Sequence, residues 1–151
     1  AKMPRTIMER LNLSETLSSA VELYSSTPNV EVIFENRIND GVEVDADRKQ
    51  LIRAISNLIK NGIQSIPKGR MGKIQVVLYR ENEKIHIDVS DNGKGIAEEE
   101  REKIFEPYFT TKSGGTGLGL ALVKNIFNEF GADISFASQI DIGTTFTINF
   151  R

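Results

Sequence analysis

The sequence predicts an α/β sandwich of two layers, in which helices cover one face of a mixed, mostly antiparallel sheet. Its 151 residues, of which 39% are apolar and 26% charged, suit one globular domain of ordinary composition. Helical and strand patterns interleave without the regular strand–helix–strand rhythm of a parallel sheet. The clearest pattern is KIQVVLYRENEKIHIDVSDNG, which reads as two alternating strands joined by a polar turn. A hairpin of this kind favours antiparallel pairing.

The first third of the chain is predicted to hold one helix and two strands. Ser14 is a suitable N-cap, and Leu13, Leu17, Val21 and Tyr24 recur at helical spacing. After a turn at STPN, the segments VEVIFEN and GVEVDA alternate apolar with polar residues around the turn signal NDG. This alternation is typical of strands.

A second helix is predicted to run to about Ser65. Asp47 and Gln50 have the spacing of a capping box at its start, and Pro67 and Gly69 terminate it. The strand hairpin described above follows this helix.

The last third is predicted to contain two glycine-rich loops, a short acidic helix near AEEEREKIF, an apolar helix and two strands, ISFAS and TTFTINF. The apolar helix ends at Gly131. Its apolar positions are Leu118, Leu120, Leu122, Val123, Ile126 and Phe130.

The second helix has an unusual polar side. A helical wheel places its apolar residues on one side, and these are Leu51, Ile52, Ile55, Ile59, Ile63 and Ile66. The other side carries Asn57, Lys60, Asn61 and Gln64, with Asn57 and Asn61 about 6 Å apart along the axis. This pattern has two interpretations: a solvated polar face, or two amide oxygens that help to hold Mg²⁺. Asparagine is a mediocre helix former, which favours the second.

The first glycine loop, DNGKGI, directly follows a strand. A tight turn with positive φ at Asn92 and Gly93 would explain two of its residues. It would not explain the second glycine, Gly95, or the carboxylate of Asp91 at the end of an apolar strand. A carboxylate at this position can accept a hydrogen bond from the exocyclic amine of adenine and would repel the carbonyl of guanine.

The second glycine loop, GGTGLGL, opens the apolar helix near Gly117. A helix N-terminus presents unpaired N–H groups and a positive dipole end, which attract a phosphate. The loop is neither a dinucleotide fingerprint nor a Walker loop, because no strand leads into Gly115 and no GK[ST] ends the run. A flexible linker is the simpler alternative.

Composition excludes several kinds of function. The chain has no cysteine, and therefore no disulfide and no thiolate chemistry. A formal charge of -2 gives no indication of binding to nucleic acid or to an anionic membrane. No window approaches the ~20 apolar residues of a membrane helix. Because the chain begins at Ala, we expect a soluble, cytoplasmic piece of a longer protein whose other parts could be membrane-anchored.

Four segments together resemble the conserved boxes of the sensor histidine kinases. NLIKNGIQS, DNGKGI, FEPYFTTK and GGTGLGLALVKNI stand in the order and spacing of the asparagine, first glycine, phenylalanine and second glycine boxes. The resemblance covers about residues 14–151. It implies an ATP-binding domain with the α/β sandwich shared by gyrase, mismatch-repair and heat-shock ATPases. It also implies that the cofactors are ATP and Mg²⁺.

The resemblance also implies roles for single residues. Asn61 would coordinate Mg²⁺, Asn57 would lie beside the phosphates, and Asp91 would bind the adenine amine. Asn57 and Lys112 would act in catalysis, with Lys112 meeting the terminal phosphate. The residues assigned to ATP are Asn57, Lys60, Asn61, Asp91, Gly93, Gly95, Ile96, Phe105, Thr110, Thr111, Lys112, Gly115, Thr116, Gly117, Leu118 and Gly119.

The stretch FEPYFTTKSGGTGLG resembles a mobile ATP lid. Phe105 and Phe109 would anchor it by burial, and Gly115, Gly117 and Gly119 would let it approach the triphosphate.

Two departures from the family pattern matter. Gln64 and Ser65 stand where many members carry Lys and Tyr, which resembles the nitrogen-regulation branch. The phosphoacceptor segment is absent, and the only histidine, His86, alternates with Ile85 and Ile87 as a strand residue. The segment MPRTIMERLNLS resembles the junction that leaves the dimerisation helices. We therefore assign residues 1–13 to this junction and residues 14–151 to the catalytic ATP-binding domain.

The preferred function is transfer of the γ-phosphoryl group of Mg-ATP to a histidine on a separate dimerisation domain, with a response regulator downstream. The isolated domain should be a monomer without direct membrane contact. A hydrolytic clamp of the gyrase type is disfavoured because Asn57 occupies the position of its general base, a Glu. A nucleotide-dependent switch without catalysis remains an alternative, and FEPYFTTK disfavours an anti-sigma serine kinase.

Overall fold

The computed structural model describes residues 5–107, 109 and 119–151. Its elements, in chain order, are β1 (Glu9–Asn12), α1 (Leu13–Glu22), β2 (Val30–Asn36), β3 (Glu43–Ala46), α2 (Arg48–Gln64), β4 (Gly72–Glu81), β5 (Lys84–Asp91), a single 3₁₀ turn (Glu98–Glu100), α3 (Gly119–Glu129), β6 (Ala132–Gln139) and β7 (Gly143–Phe150).

Five strands form the main sheet in the order β2-β4-β5-β7-β6. Only the β2–β4 pair is parallel, and the three other pairs are antiparallel. β1 and β3 form a separate antiparallel pair. The predicted mixed, mostly antiparallel sheet is therefore confirmed, as is the hairpin of β4 and β5.

The hydrophobic core lies between the main sheet and the three helices. Ile74, Val76 and Leu78 of β4 are fully buried and share one face of the sheet with Ile87 and Val89 of β5, which are the partners of Leu78 and Val76 in register. The fully buried side chains of the helices pack on this face, among them Leu17, Leu51, Ile55, Ile59 and Phe127. The alternation seen in the sequence thus sorts each strand into a core side and an open side.

The two N-terminal helices begin at the same kind of cap, a side-chain oxygen that accepts the N–H three residues further on. Asn12, not Ser14, is the N-cap of α1, because its Oδ1 accepts the N–H of Glu15 at 3.0 Å. The prediction of Ser14 was wrong, since Leu13 is already helical and fully buried. For α2 the prediction is confirmed: Asp47 Oδ1 accepts the N–H of Gln50 at 3.1 Å.

The N-terminal segment is attached to the start of α2. Asp47 Oδ2 accepts the N–H of Ile7 at 2.8 Å, while Oδ1 caps the helix. Leu11 is the one buried residue of β1, and Asn12 passes directly into α1 without a connecting loop. The segment that we assigned to a junction therefore contains a strand with its own pairing to β3.

The predicted acidic helix near AEEEREKIF is shorter than expected. Only Glu98–Glu100 form a single 3₁₀ turn, followed by non-helical turns to Phe105. Ile104 is the one side chain of residues 98–104 that is buried, so this segment lacks the apolar stripe that holds a longer helix in place.

No helix in the described ranges combines the length and the apolar character that crossing a membrane requires.

Candidate functional site

Asp91 ends β5 on the face of the sheet that the helices cover. It lies opposite Ile74 of β4 and Thr144 of β7. Gly62 of α2 passes close above it: a Cβ on Gly62 would lie 3.1 Å from Asp91 Cβ and 3.0 Å from Ile74 Cδ1. The missing side chain of Gly62 therefore lets α2 approach the strand end that carries the carboxylate.

The carboxylate of Asp91 is oriented by the protein. Its Oδ1 accepts the N–H of Gly93 at 2.8 Å and that of Thr144 at 3.3 Å. The hydroxyl of Ser65, at the C-terminal end of α2, lies 3.3 Å from the same oxygen and 2.7 Å from the carbonyl of Gly62. Backbone donors from two elements thus hold the carboxylate in one direction.

The loop after Asp91 is fixed at both sides. The N–H of Lys94 donates to the carbonyl of Ser65 at 3.0 Å, and the carbonyl of Lys94 accepts the N–H of Asp141 at 2.9 Å. The loop therefore lies between the end of α2 and the turn that joins β6 to β7.

Both glycines of the loop are sterically required. A Cβ on Gly93 would lie 1.9 Å from Ser65 Oγ, and one on Gly95 would lie 2.5 Å from the carbonyl oxygen of Gln139. Gly95 also has φ +77°, whereas neither Asn92 nor Gly93 has positive φ. The tight-turn alternative with positive φ at Asn92 and Gly93 is therefore wrong, and the second glycine is the one that bends the chain.

One residue of the polar stripe of α2, Asn57, lies close to the first described residue of α3. Asn57 and Asn61 are half-buried, whereas Lys60 and Gln64 are exposed. Asn57 Oδ1 lies 4.0 Å from the position of a Cβ on Gly119, the first described residue of α3. From Asn57 to Gly62 the helix advances only about 8 Å. One short stretch of α2 therefore connects the carboxylate of Asp91 with the N-terminal end of α3.

Aromatic residues hold the segment before α3 on the sheet. Phe105 packs edge to face on Phe136 and Phe146, with ring centroids 6.0 and 6.2 Å apart, and Lys124 Nζ of α3 lies 5.4 Å from its ring centroid. Phe109 is also partly buried against the core. Both phenylalanines are thus at least partly buried, and most of the predicted lid, residues 108 and 110–118, lies outside the described residues.

The structure brings together part of the predicted site. Gly119 lies near Asn57 of α2, and Asp91 and Gly93 lie near the C-terminal end of the same helix, at Gly62 and Ser65. Asn61 lies one turn along α2 from Asn57, and Ile96 closes the first glycine loop. Seven predicted residues and the predicted helix start near Gly117 lie outside the described residues, and these seven are Thr110, Thr111, Lys112, Gly115, Thr116, Gly117 and Leu118.

Sequence reasoning missed several residues of the site. Thr144 meets Asp91 through strand pairing, and Ser65 was considered only as a departure from a pattern. Arg70 was also missed: its guanidinium donates to the carbonyl of Asn92 at 2.7 Å. Only the strand register could have indicated Thr144, because Thr144 of β7 lies opposite Asp91 of β5. No local pattern identifies the contact of Arg70.

His86 lies away from the site. It alternates with Asp91 along β5 and is therefore on the opposite, open face of the sheet. Its ring stacks on Tyr79 with centroids 5.2 Å apart, and its Nδ1 lies 2.5 Å from Asn149 Oδ1. The expectation that His86 is a strand residue is confirmed.

The side chains of the candidate site suit a metal ion that is held mainly by the phosphates of a bound nucleotide. Within residues 5–107, 109 and 119–151, no group of three or more His, Asp or Glu residues could hold a metal ion. The neutral amide of Asn57 lies near α3, and the amide of Asn61 lies one turn along the same side of α2. Mg²⁺ commonly takes one or two protein oxygens together with phosphate oxygens and water, so these residues fit Mg²⁺ bound with a nucleotide.

Comparison with known proteins agrees with this arrangement. The family described as "Histidine kinase-, DNA gyrase B-, and HSP90-like ATPase" matches residues 46–151. The sensor histidine kinase ZraS of Escherichia coli K12 is 39% identical over 143 residues, which are 93% of this chain and 30% of ZraS. The nitrogen regulation protein NtrY of Azorhizobium caulinodans is 35% identical over 139 residues, which are 89% of this chain and 18% of NtrY. The chain thus spans less than a third of either relative.

Solved structures agree as well. The catalytic domain of the histidine kinase ThkA superimposes with a TM-score of 0.82 at 31% identity, covering 95% of both chains. ThkA in a complex with the response regulator TrrA gives a TM-score of 0.77 at 28% identity, covering 96% of this chain and 42% of ThkA. The chain therefore belongs to the histidine kinase-, DNA gyrase B- and HSP90-like ATPases, as an ATPase domain of the kind that sensor histidine kinases carry.

Proposed function

We propose that this chain binds Mg-ATP and transfers the γ-phosphoryl group to a histidine on a separate dimerisation domain. One observation carries the proposal: Asp91 lies at one end of a short stretch of α2, and the start of α3 lies near Asn57 at the other. A nucleotide has a hydrogen-bonding base at one end and an anionic phosphate chain at the other, and a proposed partner for each lies beside this stretch of α2.

At the base end, Asp91 acts as an acceptor for the exocyclic amine of adenine. Its Oδ1 is held by the N–H groups of Gly93 and Thr144, so the carboxylate is oriented before a ligand arrives. Guanine presents a carbonyl oxygen where adenine has the amine, and a carboxylate would repel it. Gly93, Gly95 and Ile96 form the loop beside the base.

At the phosphate end, the first N–H groups of α3 attract the phosphates, and Asn57 and Asn61 face them from α2. Asn61, assisted by the phosphates and water, would hold Mg²⁺, which supplies charge neutralisation when it is bound. Asn57 would orient the phosphates. Lys112, Thr110, Thr111, Thr116 and the glycines of the second loop belong to the same proposal through the family resemblance.

Transfer needs an acceptor on another part of the kinase. Asn57 cannot take a proton from water, so the site would position reactants and would not generate a hydroxide. Residues 14–151 would form the catalytic domain, and residues 1–13 would connect it to the dimerisation domain. Because ThkA has been solved in a complex with a response regulator, we also propose a response regulator as the downstream partner. The isolated domain would be a monomer that works in the cytoplasm, where ATP is available.

A calorimetric titration with ATP, ADP and GTP, each with and without Mg²⁺, tests the binding step. We expect ATP and ADP to bind and GTP to bind far more weakly. Equal affinity for GTP would remove the base assignment of Asp91. The transfer step is tested by adding a dimerisation fragment that carries the acceptor histidine. A chain that binds ATP but never labels this fragment would favour the nucleotide-dependent switch, and brisk ATP hydrolysis without an acceptor would favour the clamp.

A further inference from the structure

The backbone of Ile96 is held on both of its sides. Its N–H donates to Ser138 Oγ at 2.8 Å, and its carbonyl accepts Arg101 Nε at 3.4 Å. The guanidinium of Arg101 also donates through Nη2 to the carbonyl of Ser138 at 2.8 Å. These three residues, the Ile96 clasp, close a ring of hydrogen bonds between the end of the first glycine loop, the 3₁₀ turn and the end of β6.

The clasp is connected to Asp91. Ser138 Oγ lies 2.8 Å from Thr144 Oγ1, and the N–H of Thr144 donates to Asp91 Oδ1 at 3.3 Å. A hydroxyl has one proton and two lone pairs, so Ser138 can accept from Ile96 and still interact with Thr144. A continuous chain of hydrogen bonds therefore runs from the carboxylate of Asp91 to the guanidinium of Arg101.

Few apolar contacts hold the first glycine loop in place. Ile96 is its only apolar side chain, and it is only partly buried. Gly95 lies so close to Gln139 that a Cβ would be 2.5 Å from the carbonyl oxygen of Gln139. Because apolar side chains contribute so little, the hydrogen bonds of the loop, together with the close contacts of its glycines, set its distance from Asp91.

We propose that Arg101 and Ser138 are positioning residues of the nucleotide site. They hold residues 93–96 at the distance from Asp91 that an adenine base requires, and they do not contact the nucleotide themselves. This inference rests on the proposed function. A planar guanidinium reaches two carbonyls at once, which a lysine ammonium on a flexible stem does with less precision, so Arg101 should not be replaceable by lysine.

The first test uses Ser138→Ala, Ser138→Thr and, as the matched control, Ser135→Ala, whose serine is exposed on the same strand. Calorimetry gives the dissociation constant for ATP, and amide exchange by NMR gives the protection of the Ile96 N–H. Ser138→Ala should weaken ATP binding roughly five- to thirty-fold and speed exchange of the Ile96 amide. Ser138→Thr keeps the hydroxyl and should stay close to the parent, as should Ser135→Ala. Parental ATP affinity in Ser138→Ala would overturn the inference.

The second test does not depend on Ser138 and uses Arg101→Lys, Arg101→Gln and the exposed control Lys103→Gln. Both Arg101 variants should lose affinity for ATP and ADP by the same factor, with the Mg²⁺ dependence unchanged, because the clasp acts at the base. Parental affinity in Arg101→Lys would show that only charge matters and would overturn the proposal. Lower thermal stability with unchanged affinity would show a purely structural role and would also overturn it. A parent chain that fails to bind ATP would overturn the proposed function. A parent that binds ATP, with the same affinity in all variants, would overturn this inference alone.

Discussion

At the residue scale, the feature that matters most is how firmly Asp91 is held before any ligand is present. Two backbone N–H groups and one hydroxyl approach a single carboxylate oxygen. Charged acceptors with several donors lose little freedom when a ligand binds, because their orientation is already fixed. In its proposed role, this fixed orientation would let Asp91 discriminate between bases as well as attract them.

Replacing Asp91→Asn should weaken ATP binding about ten- to a hundred-fold, because an acceptor with full charge becomes an amide that presents N–H groups. Calorimetry measures the affinity, and thermal unfolding shows whether the fold survives. Asp88→Asn is the matched control, since Asp88 lies on the same strand but accepts from Tyr79 and Thr147 on the open face. Unchanged ATP affinity in Asp91→Asn would contradict the base assignment.

Tyr79 offers a pH-dependent test on the open face. Burial and, to a smaller extent, the charge of Asp88 raise the pKa of Tyr79 from 10.0 to about 12. Because the folded pKa is the higher one, this contribution to stability is complete below the ordinary tyrosine pKa, about 10, and is lost as pH rises through 12.

An alkaline absorbance titration should therefore show one late-titrating phenol that disappears in Tyr79→Phe. The difference in free energy of unfolding between parent and Tyr79→Phe should be constant near neutral pH and shrink in strong alkali. Identical titrations of the two chains would remove the assignment to Tyr79.

At the scale of elements, α2 must both fill the core and approach β5 closely, and these two requirements favour different residues. Its apolar side must fill the core, while Gly62 must stay bare so that the helix can approach Asp91. Glycine inside a helix costs about 1 kcal/mol relative to alanine, and this cost is accepted here for close packing on β5.

Gly62→Ala should therefore fail to stabilise the chain in spite of its better helix propensity. The new Cβ would meet Ile74 at 3.0 Å and Asp91 at 3.1 Å, which pushes α2 away from the strand. We expect a lower melting temperature and weaker ATP binding. Gly41→Ala is the control, because no atom lies within 4 Å of its added Cβ. A more stable Gly62→Ala with parental ATP affinity would show that the approach of α2 has no functional importance.

The amide stripe of α2 is tested by Asn61→Ala. We expect ATP binding to lose its dependence on Mg²⁺, because the helix loses the side chain proposed to hold the metal. Titrations with and without Mg²⁺ measure this, and Gln64→Ala, one turn along the exposed side, serves as the control. If Asn61→Ala still responds to Mg²⁺ as the parent does, the asparagines return to the interpretation of a solvated face.

Local interactions were predictable and distant ones were not. The cap formed by Asp47 and Gln50 involves residues three apart, so the sequence pattern alone identifies it. Strand β1 has a single buried residue and leaves almost no periodic signal. The hydrogen bond from Ile96 to Ser138 joins residues 42 positions apart. No sequence pattern indicates which backbone N–H a distant serine hydroxyl will accept. The sequence therefore identified Asp91 and the two glycines as candidates, whose roles stay predictions, but did not indicate the residues that hold them in place.

At the scale of the whole molecule, the chain carries a proposed donor site without an acceptor. His86 is engaged with Tyr79 and Asn149 on the face of the sheet opposite Asp91. The isolated chain should therefore bind ATP without labelling itself or hydrolysing ATP appreciably.

Incubation with γ-labelled ATP, alone and with a dimerisation fragment, measures this directly. Label should appear only on the added fragment, and transfer should fall in Lys112→Ala. His86→Gln serves as the control and should transfer as the parent does. Acid-labile phosphate on the isolated chain that is lost in His86→Gln would overturn this account.

The attachment of the N-terminal segment has a mechanical consequence. The N–H of Ile7 donates a hydrogen bond to the side chain that caps α2, and β1 runs without a loop into α1. No flexible loop therefore separates β1 from the helical layer. A twist applied at residue 7 reaches both helices at once, and a pull along β1 loads its hydrogen bonds to β3 in shear. We therefore expect a rotation imposed at residue 7 to act on α1 through β1, and through Asp47 on α2, the helix that carries the asparagines.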